Sequence, residues 1–314
     1  MSGLGRRRSA EAVVKILEKG IGASRLESIL YRLCRKPTLR RIMKLGSLAY
    51  AYAANLNGAP SRLAKLENYS LNVHLKSPWG VRSYFFGECG AFTILDRLLE
   101  PGCTFIDAGA NIGQFSARAT SLLHGNGRVF AFEPDPINHK LLVKTIEDNN
   151  WYKQLQVSNK ALWKQSGDTL KFYLSQSTEN TGTSSLVQHG VNQDKSQFID
   201  VNTLSLDDFL KDEEIRKVRL IKIDVERAEY ELLQGFREGL AGQIADFILI
   251  EMDGEGPCSH FLNQSGYEGF RVDNGMSIRD MDRNTAQVQD YLFVAPGLSK
   301  MIREHPMYDS VKAR

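Results

Sequence analysis

Apolar residues follow two kinds of spacing along this chain. From residue 103 onward, short apolar runs alternate with segments in which apolar residues recur every three or four positions, the spacing of a helix face. Parallel strands need a helical crossover between them, so this alternation predicts an α/β protein with a doubly wound, mostly parallel sheet. The predicted strands are 103–107, 128–133, 155–158, 218–224 and 245–252, with closing strands at 268–272 and 290–295. The predicted helices are 92–100, 112–123, 136–149 and 227–236.

One segment interrupts this rhythm. Residues 169–174 and 198–201 are predicted as extra strands, and between them lies a loop at 175–196 that is rich in Ser, Thr, Asn and Gly. Loops of this length are uncommon unless they have a function. The alternative is a mobile surface segment without contacts.

The chain before the sheet follows a helical pattern. Residues 10–56 predict two or three short helices, with Pro37 and Gly46 as breaks. Residues 70–86 predict two short strands around a turn at 77–80. We therefore expect a basic helical extension at 1–70, a sheet domain at 71–297 and a tail at 298–314.

Charge is unevenly distributed along the chain. The 314 residues carry a formal charge of +3, from 40 Lys and Arg against 37 Asp and Glu, which is too small to predict a nucleic-acid partner. Residues 1–45 hold twelve basic and three acidic side chains, leaving 28 and 34 for the rest. The basic residues could face a membrane, an acidic substrate or only solvent, and peripheral membrane contact through 1–56 is one hypothesis.

Cysteine spacing and hydropathy bear on the compartment. Cys34, Cys89, Cys103 and Cys258 form no CxxC pair, and none lies near a histidine at metal-ligand spacing, which favours free thiols in a reducing compartment. The N-terminus lacks a signal-peptide pattern, and the apolar stretch at 45–54 is about half of the roughly 20 residues that span a bilayer. We expect a cytoplasmic protein without a transmembrane segment.

A glycine-rich turn follows the first strand of the predicted sheet. The sequence FIDAGANIG at 105–113 would place backbone N–H groups and a helix N-terminus beside a ligand. A dinucleotide turn would need glycines at 109, 111 and 114, whereas this chain has Gly109, Asn111 and Gln114. Asp107 would repel a pyrophosphate but suits a cationic amino acid group. The alternative is an ordinary turn with an incidental aspartate.

A second carboxylate closes the next strand. Glu133 lies 26 positions after Asp107, and sheets of this kind present a carboxylate to ribose hydroxyls at about this place. Taken alone, Glu133 could instead cap the helix that Pro136 begins. The two carboxylates together favour a crevice that binds a nucleoside.

More acidic residues lie at the ends of two later strands. Asp224 and Glu226 follow one strand, and Glu251 and Asp253 end the other, so all four would meet the earlier carboxylates at the carboxyl edge of the sheet. Carboxylates on one rim repel one another unless a cation, protonation or hydroxyl partners compensate. Some of these side chains could cap helices, and Glu229 is expected to be structural.

The motifs form an ordered set: FIDAGANIG, AFEPDP, KALWKQSGD, GTSSL, VNTLSLDDFL, LIKIDVERAEYELLQGF and ILIEMD. In order and spacing this set resembles the FkbM-type S-adenosylmethionine-dependent methyltransferases over residues 82–296, which implies a Rossmann-like class I methyltransferase core. The chain has Arg227 where the family usually has glycine in Asp-Val-Glu-Gly-Ala-Glu. The arginine could reach an acidic substrate, close the rim with an ion pair, or spoil a backbone approach that glycine permits.

The resemblance implies three contacts with S-adenosylmethionine, at its amino acid end, its ribose and its adenine. The implied residues are Asp107, Gly109, Ala110, Asn111 and Gly113 for the amino acid end, Glu133 and Pro134 for the ribose, and Asn159, Lys160 and Ala161 for the adenine.

The resemblance also implies an acceptor side. Asp224 and Glu226 would lie near the transferred methyl group, and either could act as the general base that an alkyl hydroxyl needs. Arg227 and Glu251 would face the acceptor. The loop residues on this side would be Asn180, Gly182, Thr183, Ser184 and Ser185.

Two other catalytic groups stay open as alternatives. A divalent ion could be held by Asp224 with Glu251 or Asp253, since carboxylate oxygens suit magnesium. His189, in the loop, is the histidine kept as an alternative base.

The sequence thus predicts an O-methyltransferase that acts on a hydroxyl of a small molecule or glycan, such as a sugar, polyketide or lipid headgroup. A catalytically degenerate S-adenosylmethionine-binding module is one alternative, for which Arg227 is the hint. A nicotinamide-dependent dehydrogenase is another, and Asn111 and Gln114 disfavour it.

Overall fold

A computed structural model describes residues 3–42, 45–57, 60–87, 93–175, 184–186, 193–273, 277–281, 288–306 and 308. The chain divides into two compact units, one comprising 1–90 with 177–181, the other 91–176 with 182–314. Within the described ranges, no helix combines the length and the apolar character needed to cross a membrane. The sequence-based boundaries at residues 70 and 297 stay predictions.

The first unit is mainly helical. The second strand predicted after the turn at 77–80 is not formed, because residues 78–86 are helical. That part of the prediction is wrong. Pro78 instead occupies the first position of a helix, where its fixed φ and missing N–H are tolerated. The described elements are α1 (Gly3–Ile21), α2 (Ala23–Cys34), α3 (Pro37–Ile42), α4 (Leu45–Asn55), β1 (Ser61–Lys65), β2 (Ser70–His74), α5 (Pro78–Val81) and a π-helical turn (Arg82–Phe86).

A buried carboxylate joins the elements of the first unit. Glu27 on α2 accepts two hydrogen bonds from Arg62, over 2.7 and 2.8 Å. The hydroxyls of Tyr52 and Tyr84 donate to it over 2.7 and 2.9 Å. Burial opposes ionisation of Glu27, but these donors outweigh it and lower its pKa. This Glu27 cluster (Glu27, Tyr52, Arg62 and Tyr84) ties α2 to α4, β1 and the π-helical turn.

The second unit alternates strands and helices as predicted. The elements predicted from 92 onward are present to within two residues at their ends, except that the strand at 198–201 is longer. They are α6 (Thr93–Leu98), β3 (Thr104–Ala108), α7 (Gln114–Leu122), β4 (Arg128–Phe132), α8 (Pro136–Asn149), β5 (Leu155–Ser158), β7 (Thr169–Ser175), β8 (Gln193–Leu204), β9 (Val218–Ile223), α10 (Glu229–Gln234), β10 (Ala245–Asp253), β11 (Glu268–Asp273) and β13 (Val288–Val294). The structure adds β6 (Ala161–Leu162), α9 (Leu206–Asp212), α11 (Arg237–Ala241), α12 (Pro257–Gln264), β12 (Ser277–Asp280) and α13 (Ser299–Glu304).

Eight strands form the central sheet, in the order β12-β11-β13-β10-β9-β3-β4-β5. β10, β9, β3, β4 and β5 pair in parallel, and β13, β11 and β12 complete the sheet with antiparallel pairs. From β3 the chain moves outward through β4 to β5, and it later returns on the other side with β9 and β10. The predicted α/β class with a mostly parallel sheet is confirmed. The topological switch point, where such sheets bind ligands, lies between β3 and β9.

The central strands are covered on both faces, which is why they read as apolar runs. Phe105, Ile221 and Phe247 expose none of their surface. Lys222 is the exception in β9, a lysine that is only 7% exposed within an apolar strand. Its partners lie at the switch point.

A smaller sheet, in the order β6-β8-β7, contains the two extra strands. Ala161, Phe172 and Val201 form its apolar core. An isolated bridge between Tyr173 and Ser185 connects β7 to the segment 184–186. The small sheet thereby fixes the described part of the predicted loop.

Candidate active site

The turn between β3 and α7 is held in left-handed backbone conformations. Gly109, Asn111 and Gly113 have φ values of 77°, 51° and 83°. A Cβ on Gly109 would lie 1.8 Å from the carbonyl oxygen of Asp224, and one on Gly113 would lie 2.1 Å from Leu142 Cδ2. Glycine is therefore needed twice, for the close approach of the chain after β9 and for packing against α8.

Backbone hydrogen bonds join the tips of three strands at this turn. The N–H groups of Gly109 and Ala110 both donate to the carbonyl of Phe132 over 3.0 Å, and Asp224 N–H donates to Ala108 over 3.0 Å. The N–H groups of Gly109 and Ala110 are therefore bound within the protein, although the sequence suggested that they face a ligand. The turn instead places the ends of β3, β4 and β9 side by side.

Asp107 lies beneath the turn with none of its surface exposed. Ser116 Oγ donates to Asp107 Oδ2 over 2.6 Å, and Lys222 Nζ lies 3.7 Å from Oδ1. Desolvation raises the pKa of Asp107, against the opposing effects of Lys222 and Ser116. Among the described residues, Oδ1 has no hydrogen-bond donor. One buried acceptor of Asp107 therefore receives no hydrogen bond from the described residues, and Lys222 faces it only at ion-pair distance.

Lys222 supplies a cation for the acidic rim, which is formed by Asp224, Glu226, Glu251 and Asp253. Sequence reasoning missed this lysine. Its Nζ lies 3.1 Å from Asp224 Oδ2, donates to the Gly109 carbonyl over 3.4 Å, and stands 4.9 Å from the centre of the Phe115 ring. Burial alone would lower the pKa of Lys222, but the charges of Asp224 and Asp107 raise it. A lysine within an apolar parallel strand was the available signal, because a buried ammonium needs acidic partners.

Glu133 connects the glycine-rich turn to α8. It is 5% exposed, and its Oε2 accepts the Asn111 N–H over 2.7 Å while Oε1 accepts the Asp135 N–H over 2.8 Å. Burial, and then the charge of Asp135, raises the pKa of Glu133 to about 8. Pro134 lies half-buried between the two acids. Each Glu133 oxygen keeps a second acceptor position, so the side chain can bind two further hydroxyl groups.

The acidic rim follows β9 and β10. Glu251 is hydrogen-bonded to Asp224, and Asp290 stands opposite Glu251 in the β10–β13 register. Burial, and then the charge of Asp224, raises the pKa of Glu226 to about 7 and that of Glu251 to about 8. Two of the compensations expected from the sequence therefore occur together, since Lys222 supplies positive charge and burial favours the protonated acids. Asp253 ends β10 as an exposed residue.

Arg227 stands on a backbone that suits glycine. Its φ is 76°, and that of Glu226 is 54°. Glu229 Oε1 accepts the N–H groups of Val225 and Arg227 over 3.2 and 3.1 Å. Glu229, the first residue of α10, therefore stabilises this turn. The Arg227 side chain is exposed and forms no ion pair or hydrogen bond with the residues that the structure describes. An arginine here is strained, and the suggested ion pair across the rim is not formed within the described chain.

Residues 184–186 are the described part of the predicted loop. Ser184 Oγ lies 3.4 Å from Asp135 Oδ2, the side chain that caps α8, and Ser185 Oγ donates to the Glu226 carbonyl. This segment therefore connects the start of α8 with the acidic end of β9. The other loop candidates lie outside the described residues: Asn180, Gly182, Thr183 and His189.

The residues expected near adenine follow β5 directly. Asn159 and Lys160 are exposed after β5, whereas the side chain of Ala161 packs in the core of the small sheet. A cavity of about 270 Å³ lies beside β4 and β5, with Phe132, Lys160 and Phe209 in its lining. None of the acidic rim residues lines this cavity, so it is separate from the switch point.

The arrangement does not favour a metal ion. In the part of the chain that the structure describes, no group of three or more His, Cys, Asp or Glu side chains is placed to hold one. Lys222 contacts both Asp107 and Asp224 instead. The suggested site at Asp224 with Glu251 or Asp253 therefore has no structural support.

The solved structures that match this chain are distant in sequence. Fibrillarin from Aeropyrum pernix, in complex with natively bound S-adenosyl-L-methionine, is 11% identical, with 77% of this chain and 86% of that chain covered and a TM-score of 0.38. Precorrin-6y methyltransferase from Geobacter metallireducens is 11% identical, with 67% and 87% covered and a TM-score of 0.34. A tRNA uracil methyltransferase from Pyrococcus abyssi, in complex with S-adenosyl-L-homocysteine, is 12% identical, with 75% and 44% covered and a TM-score of 0.38.

The domain comparison is more informative. None of the curated proteins matches this chain. The model of the methyltransferase FkbM domain matches residues 107–265, which is just over half of the chain and runs from Asp107 through both sides of the switch point. The chain belongs to the FkbM methyltransferase family.

Proposed function

We propose that this chain transfers a methyl group from S-adenosylmethionine to a hydroxyl oxygen of a small molecule or glycan, such as a sugar, polyketide or lipid headgroup. One observation carries the proposal. Glu133 keeps acceptor positions for hydroxyl groups at the end of β4, and Glu226 has a pKa of about 7 at the end of β9, across the switch point. In this proposal a nucleoside site and a general base flank one crevice.

The chemistry of the acidic crevice fits this cofactor. Glu133 accepts the ribose hydroxyls, while Asn159 and the backbone of Ala161 lie on the adenine side. Burial raises the pKa values of Glu226 and Glu251, and the charge of Asp224 raises them further, so a cationic ligand is favoured there. S-adenosylmethionine supplies such charge, together with an electrophilic methyl group on its sulfonium. The open acceptor of Asp107 suits its ammonium group.

Glu226 is the general base in this proposal. It takes the proton from the acceptor hydroxyl while the oxygen forms its bond to the methyl carbon, and the carbon–sulfur electron pair leaves with sulfur. A base is most effective when its pKa is near the working pH, and the pKa of about 7 meets this condition. Asp224 is less suitable, because its carboxylate is paired with Lys222 and hydrogen-bonded to Glu251. Asp224 instead positions these two groups beneath the reacting atoms.

The acceptor side consists of Ser184, Arg227 and Glu251. Ser184 contacts the cap of α8, and Arg227 is exposed next to the proposed base. The guanidinium of Arg227 would pair with an acidic group on the acceptor. The cysteines that the structure describes, Cys34, Cys103 and Cys258, are free thiols, which agrees with the cytoplasmic location that we propose.

Calorimetry tests the cofactor site. At pH 7.5, titration of the full chain in two buffers of different ionisation enthalpy should show that S-adenosylmethionine releases roughly one proton more than S-adenosylhomocysteine, because the sulfonium charge lowers the pKa values of Glu226 and Glu251. Asp107→Ala and Glu133→Ala should each weaken binding by about 1.5–3 kcal/mol. Glu147→Ala, on the exposed side of α8, is the control. Wild-type affinity in both site variants would show that the crevice has been misplaced.

A methyl-transfer assay tests the reaction. Methyl-¹³C-labelled S-adenosylmethionine is incubated with a panel of sugars and polyketide alcohols, and the product is identified by the carbon shift of an O-methyl ether. Glu226→Gln should reduce turnover by about a hundredfold or more and Asp224→Asn by less, with acceptor KM changed less than kcat in Glu226→Gln. A chelator should have no effect. Labelled N-methyl or C-methyl products, or unchanged turnover in Glu226→Gln, would contradict the proposal.

A further inference from the structure

The first helix leaves a second apolar face uncovered. Val14 is fully buried against the rest of the first unit, whereas Val13, Ile16, Leu17 and Ile21 are 43%, 70%, 36% and 37% exposed. These four side chains follow helical spacing and share one side of α1. Single exposed apolar residues are common, but a row of four on one helix indicates a surface that binds something apolar.

The exposed charged side chains around this face are positive. The three carboxylates between residues 9 and 41 are half-buried or buried, and Glu27 is bonded to Arg62. The exposed charged side chains of this stretch are all basic: Lys15, Lys19, Arg25, Arg32, Lys36 and Arg41. The surface is therefore cationic as well as apolar.

The second helix repeats the combination. Ile29 is 42% exposed on α2, and Arg25 and Arg32 lie four residues before it and three after it, on the same side of the helix. Five of the fourteen large apolar side chains that are exposed in the described part of the chain fall between residues 13 and 29. Such clustering within two short helices distinguishes this region from the rest of the surface.

We propose that the exposed faces of α1 and α2, the basic apolar face, dock onto the surface of an anionic lipid bilayer. The face consists of Val13, Ile16, Leu17, Ile21, Arg25, Ile29 and Arg32, and the exposed Lys15 and Lys19 lie on the adjoining side of α1. An interfacial helix inserts its apolar residues among the acyl chains while its lysines and arginines meet the headgroup phosphates. A second copy of this chain is a poorer occupant, because it would bring the same positive charge. The inference does not depend on the proposed methyl transfer.

Vesicle flotation with the full chain tests this docking. Vesicles of phosphatidylcholine with phosphatidylserine should carry the protein upward, and vesicles of phosphatidylcholine alone should bind it at least tenfold more weakly. Ile16→Glu should weaken binding to the anionic vesicles at least tenfold, and Lys15→Glu with Lys19→Glu should do the same. The matched controls lie on α8, where Val143 and the pair Lys140 and Lys144 are also exposed at helical spacing.

The control variants Val143→Glu and Lys140→Glu with Lys144→Glu should bind like the wild type. Circular dichroism checks that every variant is folded. The proposal is overturned if the wild type does not bind anionic vesicles or binds both vesicle types equally. It is also overturned if Ile16→Glu binds anionic vesicles as tightly as the wild type. Sedimentation without vesicles tests whether a second copy of the chain binds this face instead. A dimer that Ile16→Glu dissociates would assign the face to a second copy.

Discussion

Burial raises the pKa of two buried glutamates in this protein, yet their net pKa shifts have opposite directions. Glu27 in the first unit receives four hydrogen bonds, two of them from Arg62, and its pKa is lowered. Glu133 in the second unit receives two backbone hydrogen bonds beside Asp135, and its pKa is raised to about 8. A complete set of donors makes Glu27 a structural group. An incomplete set leaves Glu133 able to gain donors from a ligand.

The comparison extends to the cations. Arg62 is matched to a single carboxylate by two hydrogen bonds, whereas Lys222 is shared between Asp107 and Asp224. A bidentate arginine fixes geometry, while a lysine acts as a compact charge that can balance several acids. The first arrangement holds elements together, and the second tunes a site.

Among single substitutions compared at one pH, the largest expected effect comes from breaking the Glu27 cluster. Arg62→Met should lower the free energy of unfolding of the first unit by about 3 kcal/mol, because it leaves a buried carboxylate without its cation. Replacing Trp151 and Trp163 by Phe leaves Trp79 as a fluorescent reporter of this unit during urea unfolding. Lys65→Met, on the same strand but exposed, should change stability by under about 0.5 kcal/mol. Equal effects of the two variants would mean that the cluster is not a structural tie.

Lys222→Met should have the next largest effect, and its size should depend on pH. At pH 8 the loss of the shared cation should destabilise the second unit by about 2 kcal/mol. At pH 5 the loss should be smaller, because the neighbouring acids with raised pKa values take up protons and no longer need a counter-charge. Lys217→Met removes an ion pair from a lysine that is 59% exposed, and it should cost under about 1 kcal/mol at either pH. A pH-independent loss in Lys222→Met would contradict this account.

These two clusters also show what sequence patterns can and cannot predict. The central strands were predictable because parallel strands buried on both faces read as apolar runs, and the glycine-rich turn because Gly109 and Gly113 are forced by close contacts. The Glu27 cluster was not, because its four side chains come from α2, α4, β1 and the π-helical turn, which no local period connects. The partners of Lys222 were not predictable either, because Asp107 and Asp224 come from the ends of two different strands.

The backbone at Arg227 was partly predictable. The departure from the glycine of the family suggested that Arg227 could spoil a backbone approach, and the structure instead shows a left-handed φ of 76°, which glycine adopts freely. The helix after Pro78 was missed because proline suits both a turn and the first position of a helix. A local signal with two structural meanings cannot be resolved without the contacts around it.

The third prediction concerns the pH dependence of stability. The pKa of Glu133 rises from its ordinary value near 4.5 to about 8 on folding, so the folded state binds more protons in this window. The free energy of unfolding should therefore fall as pH rises from 5 to 8, by up to about 1.4 kcal/mol per pH unit for this group. Glu133→Gln cannot ionise, so it should reduce this slope in urea titrations at each pH. Glu147→Gln should leave the slope unchanged, and an undiminished slope in Glu133→Gln would refute the assignment.

The smallest expected effect is at Arg227, where the strain is in the backbone. A left-handed conformation costs a non-glycine residue about 1–2 kcal/mol, and glycine loses part of this gain through its greater freedom in the unfolded chain. Arg227→Gly should therefore stabilise the second unit by about 0.5 kcal/mol, Arg227→Asn by less, and Arg227→Val should destabilise it. Gln243→Gly is the matched control, since Gln243 is exposed with a φ of 50°, and it should give the same gain. Because we propose that the Arg227 side chain faces the acceptor and not the cofactor, neither glycine variant should change S-adenosylmethionine affinity in calorimetry. A loss of stability in Arg227→Gly would show instead that the guanidinium contributes a contact that outweighs the strain.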